Sequence, residues 1–177
     1  VSSVPGEGSR FELLLPLVEA EPQGVLEREP GRRVESLAEG QGTVTVLVVD
    51  DLETNRDLAA RMLVPVGFTV VEASDGAEGL EAFATHQPRV VLMDVVMEGM
   101  DGVAATRSIR ARLDGRQVAI IAVTASALEE EEQAIVEAGA NAVVHKPYRE
   151  SQLLAVIAEH TGLRYRYAQP PAAPPSD

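Results

Sequence analysis

From Thr43 onward the chain alternates between two kinds of segment. Short β-branched and aliphatic runs end on a polar or charged residue, and each is followed by a longer segment with apolar residues three and four apart. The first pattern reads as a strand and the second as an amphipathic helix. Thr43 to Asp51 is a strand ending in two acids, Asp50 and Asp51. The helix after it sets Ala59, Met62, Leu63 and Val66 on one face, and Pro65 in its last turn should end or kink it. Thr69 to Val71 is a second strand, and Gly76 to Thr85 a second helix with Leu80, Phe83 and Ala84 facing inward. Val90 to Met93 are four consecutive apolar residues that run into Asp94. Such a run suits a parallel strand covered on both faces, with Asp94 at the edge where ligands bind in open α/β sheets. Gly99, Asp101 and Gly102 mark a loop, and Val103 to Leu113 a third helix. Val118 to Thr124 is a fourth strand and Leu128 to Ala138 a fourth helix. Ala142 to His145 is a fifth strand, followed by Lys146-Pro147. Gln152 to Thr161 is the last helix, with Leu153, Leu154 and Ile157 as its buried stripe. Five alternations predict an α/β fold: a doubly wound five-stranded parallel sheet with helices on both faces.

The flanks lack this rhythm. In Val1 to Leu17, Pro5, Gly6 and Gly8 read as a turn and Phe11 to Leu15 as a strand closed by Pro16. Glu19 to Gly42 is rich in Glu, Pro, Gly and Arg with scattered aliphatics, and reads as a solvated linker. Within it Val34, Leu37 and Ala38 suit one helical turn. Leu163 to Asp177 is a tail whose Pro-rich end should stay extended, too short for a DNA-binding domain. The predicted organisation is therefore 1–18, a linker over 19–43, a globular domain over 44–162, and a tail over 163–177.

Composition narrows the classes. The net charge is −13, from 15 Lys plus Arg against 28 Asp plus Glu, so the chain should repel nucleic acid. There is no Cys, hence no disulfide and no thiolate metal site, which fits a cytoplasmic protein. No apolar run approaches the ~20 residues of a membrane span, and the start does not resemble a signal peptide, so no membrane contact is expected.

Candidate chemistry sits at the strand ends. The first, third, fourth and fifth strands end at Asp50 and Asp51, Asp94, Thr124 and, just beyond, Lys146. In a parallel sheet these positions share one edge. Three carboxylates there repel one another, and a hard divalent cation removes that conflict. Mg²⁺ with oxygen ligands and retained waters fits best. With Lys146 and Thr124 added, the set suits phosphoryl chemistry on a carboxylate nucleophile. Singly, each residue has a plainer reading. Asp50 and Asp51 could cap the first helix, Asp94 could be a cap or turn residue, Thr124 an ordinary strand-end Thr, and Lys146 a solvated Lys. Agreement of all four strand ends favours the joint reading. The acids from Glu129 to Glu132 need no ligand, since a first helical turn favours negative charge.

Thr45 to Gly162 resembles the receiver domain of two-component response regulators. The matching motifs are Val-Val-Asp-Asp at 48–51, Met-Asp-Val-Val-Met at 93–97, Met-Asp-Gly at 100–102, Val-Thr-Ala at 123–125 and Lys-Pro at 146–147. Asn55-Arg56 and Ala105-Thr106-Arg107 are most like receivers attached to hybrid histidine kinases. The opening Pro5-Gly-Glu-Gly-Ser-Arg-Phe and Leu13 to Leu17 are similar to the last turn and strand of a histidine kinase ATP-binding domain. That would make residues 1–18 the end of such a domain, with the ATP-binding residues upstream.

The resemblance implies a flavodoxin-like sheet of order 2-1-3-4-5. It implies phosphorylation at Asp94, Mg²⁺ held directly by Asp51, Asp94 and the backbone carbonyl of Val96, and through a water by Asp50. Thr124 and Lys146 would hold the phosphoryl group, and the Lys146-Pro147 bond is often cis in the family. The expected partner is a phosphohistidine, on a kinase dimerisation domain or a histidine phosphotransfer protein. No independent enzyme is expected beyond self-catalysed phosphorylation and dephosphorylation of Asp94. Two positions depart from the pattern. Glu98 stands where the family usually has proline, and Val143 where it usually has the aromatic that couples the Thr to the output face. His145 shares Val143's side of the strand and reads as a surface histidine.

Three other functions compete. A receiver-shaped interaction module that is never phosphorylated is opposed by the complete acid, Thr and Lys set. An aspartyl-phosphate phosphatase would need a second acid two residues after the nucleophile, where Val96 stands. A flavin site would need a Ser/Thr/Gly-rich loop after the first strand, where Asp51 stands.

Overall fold

The computed structural model describes residues 2–4, 8–10, 33–112, 114–126 and 128–168. The chain divides into two units, 1–31 and 32–177. In the first, β1 (Ser2–Val4) pairs antiparallel with β2 (Gly8–Arg10), Ser3 opposite Ser9. The proposed strand at Phe11 to Leu15 lies outside the described residues, as do positions 5–7 of the turn, most of the linker and the Pro-rich end of the tail.

The second unit begins with β3 (Val34–Leu37) and continues through β4 (Val44–Val49), α1 (Glu53–Leu63), β5 (Phe68–Ala73) and α2 (Gly76–His86). It goes on through β6 (Val90–Asp94), α3 (Gly102–Ala111), β7 (Ala119–Thr124) and α4 (Glu129–Glu137). It ends with β8 (Ala142–His145), α5 (Glu150–Thr161) and β9 (Tyr165–Tyr167). Five strands form one parallel sheet in the order β5-β4-β6-β7-β8, which is 2-1-3-4-5 counted within the sheet. The predicted fold class therefore holds.

The sheet is covered on both faces, as the unbroken apolar runs require. Every residue of β6 and β7 is buried. Alternation then sorts β4: Val44, Val46 and Val48 pack with Leu63 of α1 and Leu153, Leu154 and Ile157 of α5. Leu47 and Val49 pack on the other face with Phe83 of α2 and Ala105 and Ile109 of α3. Pro65 ends α1 as expected: the helix stops at Leu63 and a 3-10 turn, Val64–Val66, follows. Ala84 is a correction. The buried stripe of α2 is Gly76, Gly79 and Phe83, and Ala84, roughly 100° further round the helix, faces solvent.

The flanks bring a larger correction. Val34 to Leu37 form a strand rather than a helical turn, paired antiparallel with Tyr165–Tyr167 of the tail. The segment assigned to linker and the start of the tail thus build a two-stranded clasp. Ala38 N donates to Arg164 O at 2.8 Å and Ala168 N to Arg33 O at 2.8 Å. Gln41 closes it by donating to Arg164 O at 2.8 Å and accepting from Arg164 N at 2.8 Å. Val34, Leu37 and Tyr165 pack on the α1/α5 core. Tyr165 meets Phe68 edge-on, with ring centroids 6.4 Å apart, and its hydroxyl donates to Leu154 O at 3.0 Å. The helix reading failed because Val34 and Leu37 stand three apart, a helical spacing, whereas in the strand a register irregularity between Val34 and Ser36 lets both pack on the core, and the partner strand lies about 130 residues away.

Tyr165→Ala is expected to lower stability by roughly 2 kcal/mol, whereas Tyr167→Ala, at an exposed position of the same strand, should be near neutral. Urea midpoints measure both. Equal small effects would show that the clasp contributes nothing to the fold.

Candidate functional site

Strand ends bring the predicted residues together. β4 carries Asp50 and Asp51 past its last residue, β6 ends on Asp94, β7 ends on Thr124, and Lys146 follows β8. Each of Asp50, Asp51 and Asp94 offers a carboxylate oxygen, and these oxygens lie within 4.8 Å of one another. Asp50 and Asp94 are buried, at 5% and 7% exposure, and Thr124 at 2%. Lys146 Nζ sits between the two buried acids, 2.7 Å from Asp50 Oδ2 and 2.6 Å from Asp94 Oδ2.

The plainer readings fare poorly. The N-cap of α1 is Leu52, with no side-chain cap, so neither Asp50 nor Asp51 caps that helix. Asp101, not Asp94, caps α3, accepting from Ala104 N at 2.7 Å. Asp94 Oδ1 does accept from Val96 N, at 3.3 Å, which closes a turn over its own carboxylate. Lys146 is not a solvated lysine. Its backbone N donates to Thr124 O at 2.8 Å, and the Lys146-Pro147 bond is cis. Thr124 Oγ1 accepts from Ser126 N at 3.0 Å, which fixes its direction.

The electrostatics follow from crowding. Burial pushes Asp94 above the ordinary carboxylate range and Asp50 adds to it, with Lys146 opposing. Burial also opposes the charge on Lys146, but the carboxylates of Asp50 and Asp94 outweigh it and hold the ammonium above its ordinary value. Three acids whose oxygens converge form a donor set of oxygens alone, which matches a hard divalent cation such as Mg²⁺ and not a soft one.

Sequence reasoning missed several supports. Gly102 follows the cap of α3, and a Cβ there would lie 2.0 Å from the carbonyl oxygen of Asp94. Its N–H instead bonds Val95 O at 3.1 Å, drawing α3 against the end of β6. Asn55 donates to Asp50, and Arg56 Nη1 to the Asp50 carbonyl at 2.7 Å. At the far end of the sheet Arg110 bonds the carbonyls of Gly139, Gly115 and Val118 and the side chain of Asn141. The Gly in Met-Asp-Gly was visible in the sequence, but not the backbone approach that demands it.

The response regulator receiver domain profile matches residues 46–158, which take in the acid cluster and all five strands of the sheet except the first two residues of β4. The chain belongs to the response regulator receiver domain family. The receiver resembles the autoinducer 2 sensor kinase/phosphatase LuxQ of Vibrio cholerae, 37% identical over 161 residues, covering 90% of this chain and 18% of that protein. It resembles the sensor histidine kinase GacS of Pseudomonas protegens, 36% identical over 131 residues, covering 72% of this chain and 14% of that protein. The chain thus spans less than a fifth of the length of these relatives. Among solved structures it matches the receiver domain of sensor histidine kinase PA1611 of Pseudomonas aeruginosa, with 32% identity and a TM-score of 0.64, covering 68% of this chain and 98% of that one. That structure holds a magnesium ion in its active-site cleft. The receiver is a phosphoacceptor module of two-component signalling, and the acids that role needs are clustered here. Among the described residues no helix is long and apolar enough to cross a membrane.

Two outcomes test this geometry. Because the Cβ in Gly102→Ala would strike the backbone of Asp94 itself, the change should cost about 2–3 kcal/mol and weaken any ligand binding at the acids. Denaturant midpoints with a parallel Mg²⁺ titration check both. Separately, the folded protein favours the uncharged form of Asp94, so ionisation there costs stability at neutral pH, and the cost vanishes as pH falls through its raised pKa. Asp94→Asn should therefore melt higher than wild type in Mg²⁺-free buffer at pH 7, with the gap closing on acidification. A lower melting temperature would mean that the Lys146 contact outweighs burial.

Proposed function

We propose that Asp94 is the phosphoacceptor of a phosphorelay, taking the phosphoryl group from a phosphohistidine in the presence of Mg²⁺. The observation that supports this most directly is Lys146 Nζ lying 2.6 Å from Asp94 Oδ2 at the rim of the acid cluster. An oxygen of Asp94 attacks phosphorus, the O–P bond forms as the N–P bond breaks, and the imidazole leaves and takes up a proton. Lys146 moves from neutralising two carboxylates to neutralising a phosphoryl oxygen. The Thr124 hydroxyl, held at the end of β7, donates to another. Mg²⁺, when bound by Asp51, Asp94 and the Val96 carbonyl, with Asp50 acting through a water, supplies charge neutralisation on the transferred group.

The donor is a histidine on a kinase dimerisation domain or on a phosphotransfer protein; the parent chain is a sensor histidine kinase, and this segment of it acts in the cytoplasm. The relatives support this, being sensor kinases that contain a matching segment. Relay to a further histidine suits Val143, which is half-buried against Ala122, Ile135 and Ala138 and has no ring to swing. The competing reading, an interaction module that is never phosphorylated, leaves the gathering of Asp51 and Lys146 about Asp94, with Thr124 at the end of the neighbouring strand, without a purpose.

Acetyl phosphate with Mg²⁺ should phosphorylate the wild-type chain, and Asp94→Asn should lose all incorporation. An acid-stable or Asp94-independent label, read by mass spectrometry, would refute the assignment.

A further inference from the structure

The three acids are committed to the protein to different degrees. For Asp51 no hydrogen bond to its carboxylate occurs among the described residues, and Asp94 receives Val96 N on one oxygen and Lys146 on the other. Asp50 is held all round. Its Oδ1 accepts from Leu52 N at 3.0 Å and from Asn55 Nδ2 at 2.9 Å, and its Oδ2 accepts from the same Asn55 nitrogen at 3.1 Å and from Lys146 Nζ at 2.7 Å. An ionised carboxylate has about four lone-pair positions, and three donors hold this one, the Asn55 nitrogen shared between its two oxygens, which leaves about one position for a water. A carboxylate so held is poorly free to turn an oxygen toward a metal ion. It can organise what surrounds one.

The geometry points to Asn55 as the positioning residue for this site. It rests on the proposed Mg²⁺ and phosphoryl reading. Asn55 lies in the first turn of α1, where its backbone N–H bonds Leu52 O at 3.0 Å, so the helix start fixes its direction. Its amide spans both Asp50 oxygens and stops the carboxylate from rotating. Asp50 is thereby kept as a hydrogen-bond acceptor for Lys146 and for a metal-bound water, and kept from competing with Asp51 and Asp94 for the ion. An acid at position 55 would add a fourth negative charge, and an aliphatic would leave Asp50 free to turn toward the ion. Arg56, next along the helix, has a different task. It holds the Asp50 backbone carbonyl at 2.7 Å and pairs with Glu72 of β5 at 3.3 Å, but does not touch the carboxylate.

The test is a Mg²⁺ titration of the full chain, followed by the amide resonances of Asp94 to Met97, together with thermal melts in Mg²⁺-free buffer. Loss of an outer residue that orients a metal site typically weakens metal affinity 10–100-fold. Asn55→Leu should lose affinity in about that range while melting close to wild type, and Arg56→Leu should lower the melting temperature with little change in affinity. Should Asn55→Leu fail to fold, Asn55→Ser removes the same amide with a smaller side chain. Unchanged affinity in the folded Asn55 variant would overturn the proposal. So would equal losses in the Asn55 and Arg56 variants, which would mark a general loosening of α1. Asp51→Asn separates the two readings: if it abolishes Mg²⁺ binding while the Asn55 variant binds as wild type does, the metal site stands and only the role of Asn55 falls.

Discussion

The interaction on which the rest depends is the pairing of one ammonium with two buried carboxylates. Asp50 and Asp94 are nearly inaccessible to water, with Asp51 beside them. Burying a charge is costly unless it is paired and hydrogen-bonded. Lys146, at 2.7 and 2.6 Å, satisfies both acids at once and leaves the cluster with excess negative charge. That residual charge is an unmet demand for a cation, and it is what makes the site chemically useful.

Such a cluster persists only if the scaffold over-determines it. Four of the five parallel strands deliver a site residue to the same edge, so no loop has to carry one far. The β6–α3 loop is drawn in by Gly102 and capped by Asp101. Arg110 ties α3 to the starts of β7 and β8 at the opposite edge. The clasp extends the α1/α5 core beyond the matched segment and seals it with Tyr165. Much of the molecule thus stabilises a region that its own charges disfavour.

The sequence made the sheet and the identities of the acids legible because both are local signals. Val90 to Asp94 and Ala142 to His145 were read to the residue, since an apolar run ending on a polar group leaves little choice of boundary. The order of strands came only from family resemblance, since periodicity says nothing of which strand neighbours which. What stayed hidden was long-range. The clasp pairs residues at opposite ends of the domain, and neither three- or four-residue strand is periodic enough to declare itself alone. Asn55 was visible as part of a motif, but its grip on Asp50 depends on where α1 begins. Ala84 failed for a smaller reason: one step of helical rotation separates a buried position from an exposed one.

How a change at Asp94 could spread turns on magnitudes. From Thr124 the contacts run to Ser126 N at 3.0 Å, from Ser126 O to His145 Nδ1 at 3.1 Å, and from His145 Nε2 to Glu132 of α4 at 3.0 Å. This line does not involve Val143, and it ends on the first turn of α4. His145 and Glu132 expose 48% and 37% of their side chains, and exposed pairs are worth about 0–1 kcal/mol. Driving a two-state face from one population to the other takes about 5.5 kcal/mol. A buried ring exchanging core for solvent could supply a large share of that, but a valine packed against Ala122 and Ile135 and one exposed His–Glu contact do not. The energetics therefore favour the proposed relay of the phosphoryl group over signalling by remodelling the α4–β8–α5 face.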